Sequence, residues 1–208
     1  MANANKPMGL SPVQYLNGSP WNGQARVYSI PYNYGTALYI GDPVTLSGTA
    51  DTNGVPEIQI ASAGDGASGA SYVPVGAIVG IGRYETLMAN PGGLDRTYYP
   101  ASGDGVNSPW YALVADDPNI LFMAQDIGTS TSIAATDIGQ TINLKSGTGN
   151  GYVSGWGIDN GSKGTTATYQ CKIIQLVRTV DNAFGKYAKF LVKLNNHMYG
   201  TGTGQAGV

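Results

Sequence analysis

Two adjacent carboxylates, Asp116 and Asp117, sit between the apolar runs 110–115 and 120–125, in a chain whose charged residues make up only 12% of 208. That residue type at that spacing offers general acid–base work or oxygen ligands for a metal ion. The working carboxylates of glycoside hydrolysis, however, face each other across a cleft from separate elements, and neighbours in one tight turn do not. The flanking residues suggest a structural job instead. Asp at the start of a turn accepts backbone N–H groups, Pro118 fixes φ, and Asn119 accepts the less common backbone angles. The expectation is a hairpin with residues 116–119 at its tip.

The other reactive residue types are sparse. His197 is the only histidine and Cys171 the only cysteine, and no serine or cysteine lies in a nucleophile-elbow pattern that His197 could serve. A capping or contact role for His197 and a core role for Cys171 follow. One cysteine also forms no internal disulfide, so nothing calls for an oxidising compartment. Asp51-Thr52-Asn53-Gly54 opens like a calcium loop but lacks the later oxygen donors and the glutamate that such loops need. Gly76, Gly80 and Gly82 do not form the GxGxxG pattern ahead of a helix, and no Gly-Lys-Ser/Thr follows. The reading is therefore a non-enzymatic protein with no catalytic residue, no metal and no cofactor.

The elements that hold these residues are strands. Gly is 31 of 208 residues, Tyr 14 and Pro 11, a turn-rich composition with about half the charge of an average globular chain. Short β-branched or aromatic runs, bounded by Gly, Pro or Asn, occur at 25–30, 36–40, 42–46, 56–61, 73–81, 96–99, 110–115, 120–125 and 141–144. The strongest pair is 167–176 with 188–194. Asn53-Gly54 marks a hairpin turn. Glycines within 73–81 suggest bulges or close backbone approach, and 63–71 and 86–95 read as loops. Residues 132–139 are the best helix candidate, one or two turns long. The expected fold is mostly β: a compact antiparallel barrel or sandwich body over 25–197, either as one unit or as two modules at 25–84 and 96–197. To this are added an extended N-terminal arm over 1–24, a flexible glycine-rich tail over 198–208, and at most one or two short helices.

Charge and hydropathy narrow the partners. A net charge of -2 lacks the surplus of cations that phosphate neutralisation requires, so nucleic acid is not expected. No run approaches the ~20 apolar residues of a membrane span, and the first ten residues lack a signal-peptide pattern. Residues 163–193 carry six basic residues and one acid, Asp181, which reads either as solvated strand positions or as a face for an acidic partner. The aromatic residues fit a carbohydrate groove or a subunit interface equally well. In the arm, Met8, Leu10, Tyr15 and Trp21 have little use in a freely solvated tail, so the arm should pack along its own domain or a neighbouring subunit.

Several segments together resemble one family. Met1-Ala2-Asn3-Ala4-Asn5-Lys6-Pro7-Met8-Gly9-Leu10 with Tyr15-Leu16-Asn17-Gly18, Ile40-Gly41-Asp42-Pro43-Val44-Thr45-Leu46, Val75-Gly76-Ala77-Ile78-Val79-Gly80, Val114-Ala115-Asp116-Asp117-Pro118-Asn119 and Phe190-Leu191-Val192-Lys193-Leu194-Asn195-Asn196-His197 are similar, as a set spanning about residues 1–197, to tailed-bacteriophage head decoration, or cement, proteins. The resemblance implies a virion structural protein made in the host cytoplasm and bound to the outer face of the icosahedral head. Its partners would be the major capsid protein and further copies of itself, a trimer before a dimer. It carries no catalytic residues. The arm would be a clamp anchored by Pro7, Met8, Leu10, Tyr15 and Trp21, and Lys186, Lys189 and Lys193 would meet an acidic capsid surface. A tail-tube, fibre or head–tail joining component, and a carbohydrate-binding β module, are the alternatives.

Overall fold

A computed structural model describes residues 3–83, 96–102, 110–200 and 204–207. The chain is mostly β, with a closed five-stranded barrel and several sheets. In chain order the strands are β1 (Ser11–Tyr15), β2 (Arg26–Ile30), β3 (Leu38–Tyr39), β4 (Pro43–Ala50), β5 (Pro56–Ile60), β6 (Gly76–Arg83), β7 (Tyr98–Tyr99), β8 (Trp110–Ala115), β9 (Ile120–Gln125), β10 (Thr141–Ile142), β11 (Leu144–Lys145), β12 (Gly157–Ile158), β13 (Cys171–Leu176) and β14 (Lys189–Leu194). The barrel closes in the order β2-β5-β4-β6-β8. A five-stranded sheet runs β1-β9-β14-β13-β10, and two short ribbons pair β3 with β7 and β11 with β12. Among the described strands every pairing is antiparallel except β2 with β5, which is parallel. The loop expected over 86–95 lies outside the described residues, and no helix among those described is long and apolar enough to cross a membrane.

Strand alternation builds two cores. Tyr28, Val44, Ile58, Ile78, Ile81, Trp110 and Val114 point into the barrel, while Phe122, Phe190, Val192, Cys171 and Ile173 cover one face of the five-stranded sheet. Ala77 and Ala115, on the barrel's outer wall, join that second core, so the sheet packs against the barrel. Gly76 shows why β6 carries glycine. A Cβ there would lie 2.2 Å from the Ala115 carbonyl oxygen, and a bulge follows between Ile78 and Gly80.

Several expectations change. The turn at 116–119 does not join paired strands: β8 closes the barrel between β2 and β6, and β9 lies between β1 and β14. It is a corner between two sheets, and β8 belongs with the strands of the first half. The arm contributes to the fold as well. β1 extends the sheet by pairing with β9, and Leu10 is wholly buried in the sheet core. The helix expected over 132–139 is only a 3₁₀ turn, Ala135–Asp137, held where Asp137 accepts from the Ala134 N–H at 2.8 Å and from Lys163 Nζ at 2.8 Å. Two more 3₁₀ turns, Gly66–Ser68 and Ala70–Tyr72, lie in the segment read as a loop. The described part of the tail is pinned, not free: Asn195 and Gln205 exchange hydrogen bonds of 2.9 and 3.0 Å, and Lys172 Nζ donates to the Ala206 carbonyl at 2.9 Å.

Candidate partner-binding surface

The two adjacent carboxylates part company at the corner. Asp117 is exposed, and its Oδ1 accepts the Asn119 N–H at 2.7 Å, which is turn chemistry. Asp116 turns back to the barrel, where Oδ2 accepts the Tyr28 hydroxyl at 2.6 Å and lies 3.3 Å from Arg26 Nε. Tyr199 Oη lies 3.2 Å from Tyr28 Oη. Because the single Tyr28 proton goes to the carboxylate, Tyr199 is the donor in that contact. The Arg26 guanidinium sits over the Tyr199 ring, 5.4 Å from its centroid. Burial and then the Asp116 hydrogen bond drive the Tyr28 phenol far above its ordinary pKa, and Asp116 raises that of Arg26. Asp116 is thus a latch between the corner and the barrel, with no second carboxylate facing it among the described residues.

This predicts a clear asymmetry. Asp116→Ala strips the buried Tyr28 hydroxyl of its acceptor and should cost about 1–3 kcal/mol. Asp117→Ala loses one exposed turn bond and should cost less than about 1 kcal/mol. Urea unfolding of the two variants measures both, and equal midpoints would refute the latch.

His197 is 5% exposed, and its Nδ1 accepts the Tyr199 N–H at 3.0 Å. Burial pushes its pKa down to about 4, with Asp116 and the Val75 backbone pulling the other way, so the ring is neutral at pH 7. Nε2 has no partner of hydrogen-bonding geometry among the described residues. Cys171 is wholly buried, and burial raises its thiol pKa. No group of three His, Cys, Asp or Glu side chains among the described residues could hold a metal ion.

The residues expected to meet a partner fall into two sets. Leu10, Tyr15 and Trp21 all pack on the protein's own sheet core. Tyr15 also donates to Asn22 Oδ1 at 3.0 Å, and Trp21 Nε1 donates to the Gln24 carbonyl at 3.2 Å. Leu10 therefore cannot be an outward anchor. Pro7 and Met8 are half-buried.

The lysines lie along β14 and the loop before it. Lys186 is exposed, its Nζ 4.9 Å from the Tyr187 ring centroid. Lys189 and Lys193 are half-buried on one face of the strand, with Leu191 between them. Lys193 stands in register with Lys172, and burial followed by that like charge lowers its pKa.

The start of the arm and the lysine loop are brought together. Asn3 Nδ2 donates to the carbonyls of Ala183 and Lys186 at 2.8 and 2.9 Å. Gln125, wholly buried, donates to the Ala4 and Tyr187 carbonyls at 2.8 and 2.9 Å and accepts the Lys6 N–H at 2.9 Å. The sequence reading missed Gln125 because a glutamine at a strand end looks like a solvated terminus; nothing local marks it as the seat of the arm.

Two depressions flank Pro118. One of about 250 Å³ is lined by Gln24, Arg26, Asp116 and Tyr199, and one of about 300 Å³ by Lys193, Asn195, His197 and Gln205. Searches against protein-family models, curated proteins and solved structures find no match for this chain.

Proposed function

We propose that this chain is a non-enzymatic structural protein of a tailed-bacteriophage virion, a decoration or cement protein bound to the outer surface of the head. The resemblance of the segments quoted above carries the reading. The lysine face of the five-stranded sheet supports it, because Lys172 and Lys193 stand in register there, with Lys189 four positions away on the same face of β14, and no acid is in register beside them. Such a protein binds the assembled shell and not its dissociated subunits, so its binding free energy adds to the assembled state. Repetition over the lattice multiplies individually weak contacts. The arm reading now narrows to residues 3–8, because Gly9 and Leu10 onward belong to the fold.

Labelling of the chain in micrographs of purified particles tests the location. Label on head faces supports the reading, while label on a tail tube, fibre or head–tail joint moves the protein to another virion role. Lys189→Glu with Lys193→Glu should lower occupancy on expanded heads at least tenfold, and wild-type binding should weaken with salt as charge contacts are screened. Deletion of residues 2–8 should also lower occupancy, with some fall in melting temperature because it takes the Ala4 carbonyl and the Lys6 N–H from the buried Gln125 side chain, so occupancy is compared well below both melting temperatures. Full occupancy by both variants would refute the assigned contacts.

One feature favours carbohydrate binding as a second reading. Tyr39 and Tyr98 stack at 5.6 Å, with Tyr152 edge-on to Tyr98 at 6.5 Å and 62% exposed. Glycan titration followed by aromatic fluorescence tests it.

A further inference from the structure

The barrel closes between β2 and β5 through one parallel pair, Ser29 with Glu57. Beside that seam lies a cleft of about 600 Å³, within the size range of ligand pockets, walled by Ile30, Pro31 and Tyr32 on one side and by Asp51 and Glu57 on the other. Its lining holds two carboxylates and no Lys or Arg. Burial pushes the Asp51 carboxyl upward, but hydrogen bonds from Tyr111 and from the N–H groups of Val55 and Asn53 outweigh it and keep its pKa below the usual range. Glu57 uses Oε2 to accept from Thr49 Oγ1. Tyr32 is 49% exposed, and its hydroxyl has no partner among the described residues. An apolar wall, an aromatic face and two anions suit a side chain that is apolar along its stem and cationic at its head.

The same chain presents a matching protrusion. The connection between β13 and β14 is stapled at its base by Asn182. Its Nδ2 donates to the carbonyls of Val177 and Lys189 at 2.8 and 2.9 Å, and its Oδ1 accepts the Lys189 N–H at 2.8 Å. Above that staple, Val180 is 94% exposed. Arg178 is exposed and makes no hydrogen bond or ion pair among the described residues. A braced loop that holds an apolar and a cationic side chain in water loses little conformational freedom on docking. No hydrogen bond or ion pair among the described residues joins this tip to the cleft within one protomer. The two features lie on different sheets, each at strand ends remote from the 116–119 corner.

We propose that the chain self-associates head to tail, the 178–181 tip of one copy seating in the cleft of the next, with Val180 on Pro31 and Arg178 against Tyr32, Asp51 and Glu57. Charge complementarity selects a second copy as the occupant: the lining of the cleft carries two carboxylates and no cation, and Arg178 is an exposed cation that no described acid, its neighbour Asp181 included, engages in an ion pair. Such a contact is heterologous, so it closes into a ring or continues as an open chain according to the rotation between copies. It does not depend on the capsid reading, and its test needs no capsid.

Sedimentation velocity of the purified full-length chain, from micromolar to millimolar concentration, should show mass rising with concentration. Arg178→Glu and Val180→Asp change exposed side chains and should leave circular dichroism unaltered while weakening association at least tenfold. Glu57→Lys should do the same, and combining Arg178→Glu with Glu57→Lys should restore part of the association. A wild-type chain that stays a protomer throughout overturns the proposal. So does association that Arg178→Glu leaves unchanged, which would mean an interface elsewhere. Single variants that weaken association without rescue by the charge swap would refute the pairing of this tip with this cleft.

Discussion

Replacing Leu10 by alanine should destabilise the whole protein by about 2–5 kcal/mol, the range for emptying a filled leucine site in a core. In a chain of this size that corresponds to a fall in melting temperature of roughly 10 °C. Leu10 is 0% exposed and belongs to the cluster that holds Phe122, Ile158, Phe190 and Val192. The backbone around it is equally constrained. Its N–H donates to the Gly41 carbonyl at 2.8 Å, and Gly9, at φ +68°, lets the two segments approach so closely that a Cβ there would lie 2.2 Å from the Gly41 oxygen. The next residue opens β1, which pairs with β9. Truncation through residue 20 would therefore remove a strand and a core side chain together, and lost capsid binding after such a cut would say nothing about an arm. Met8→Ala should cost less than Leu10→Ala, since Met8 is only half-buried. Thermal unfolding of the two variants decides the matter; a Leu10→Ala chain that melts with wild type would place Leu10 outside the core.

How legible the molecule is in its sequence depends on whether a feature has a local cause. The strands β2, β5, β6, β8, β9, β13 and β14 announce themselves through β-branched and aromatic runs. The β4–β5 turn does so through Asn53-Gly54, where Asp51 Oδ1 accepts the N–H groups of Asn53 and Val55 at 2.9 and 2.8 Å. Pairing has no such signature. Asp117, Pro118 and Asn119 turn the chain by the same local bonds whether the flanking strands pair with each other or separate, so a corner between two sheets reads as a hairpin. What sends β8 and β9 apart is tertiary: Ala77 and Ala115 are small enough for the barrel wall to receive the sheet. The Asp116 latch is hidden for the same reason, because its partner Tyr28 lies 88 residues away. Of the expected contact residues, the lysines of β14 were legible as a basic run, whereas Leu10, Tyr15 and Trp21 were apolar for reasons internal to the fold.

Gln170 is the residue whose importance the sequence hides most completely. It directly precedes β13 and looks like a solvated polar position, yet it is 0% exposed. Its Oε1 accepts the N–H groups of Gly64 and Leu144 at 3.2 and 3.0 Å, and its Nε2 donates to the carbonyls of Ser62 and Tyr72 at 2.8 and 2.7 Å. One amide thus fills all four of its hydrogen-bonding sites with backbone groups, tying the 62–72 segment beside the barrel to β11. Gln170→Leu keeps the volume and strands four backbone groups. At about 1–3 kcal/mol for each group left without a partner, and with water reaching the half-buried Ser62, Gly64 and Tyr72, the total should be about 3–5 kcal/mol. Gln170→Glu separates lost bonds from lost packing. The carboxylate still accepts from Gly64 and Leu144 but faces two carbonyl oxygens, and burial without a cation raises its pKa in the folded state. A folded-state pKa raised above the unfolded one makes the penalty largest above that raised value, and it shrinks as pH falls and the protonated acid donates to one carbonyl. Urea midpoints at pH 7 and pH 4.5 should therefore converge on wild type for Gln170→Glu and stay apart for Gln170→Leu. If Gln170→Leu is as stable as wild type, the tie between the 62–72 segment and β11 lies elsewhere.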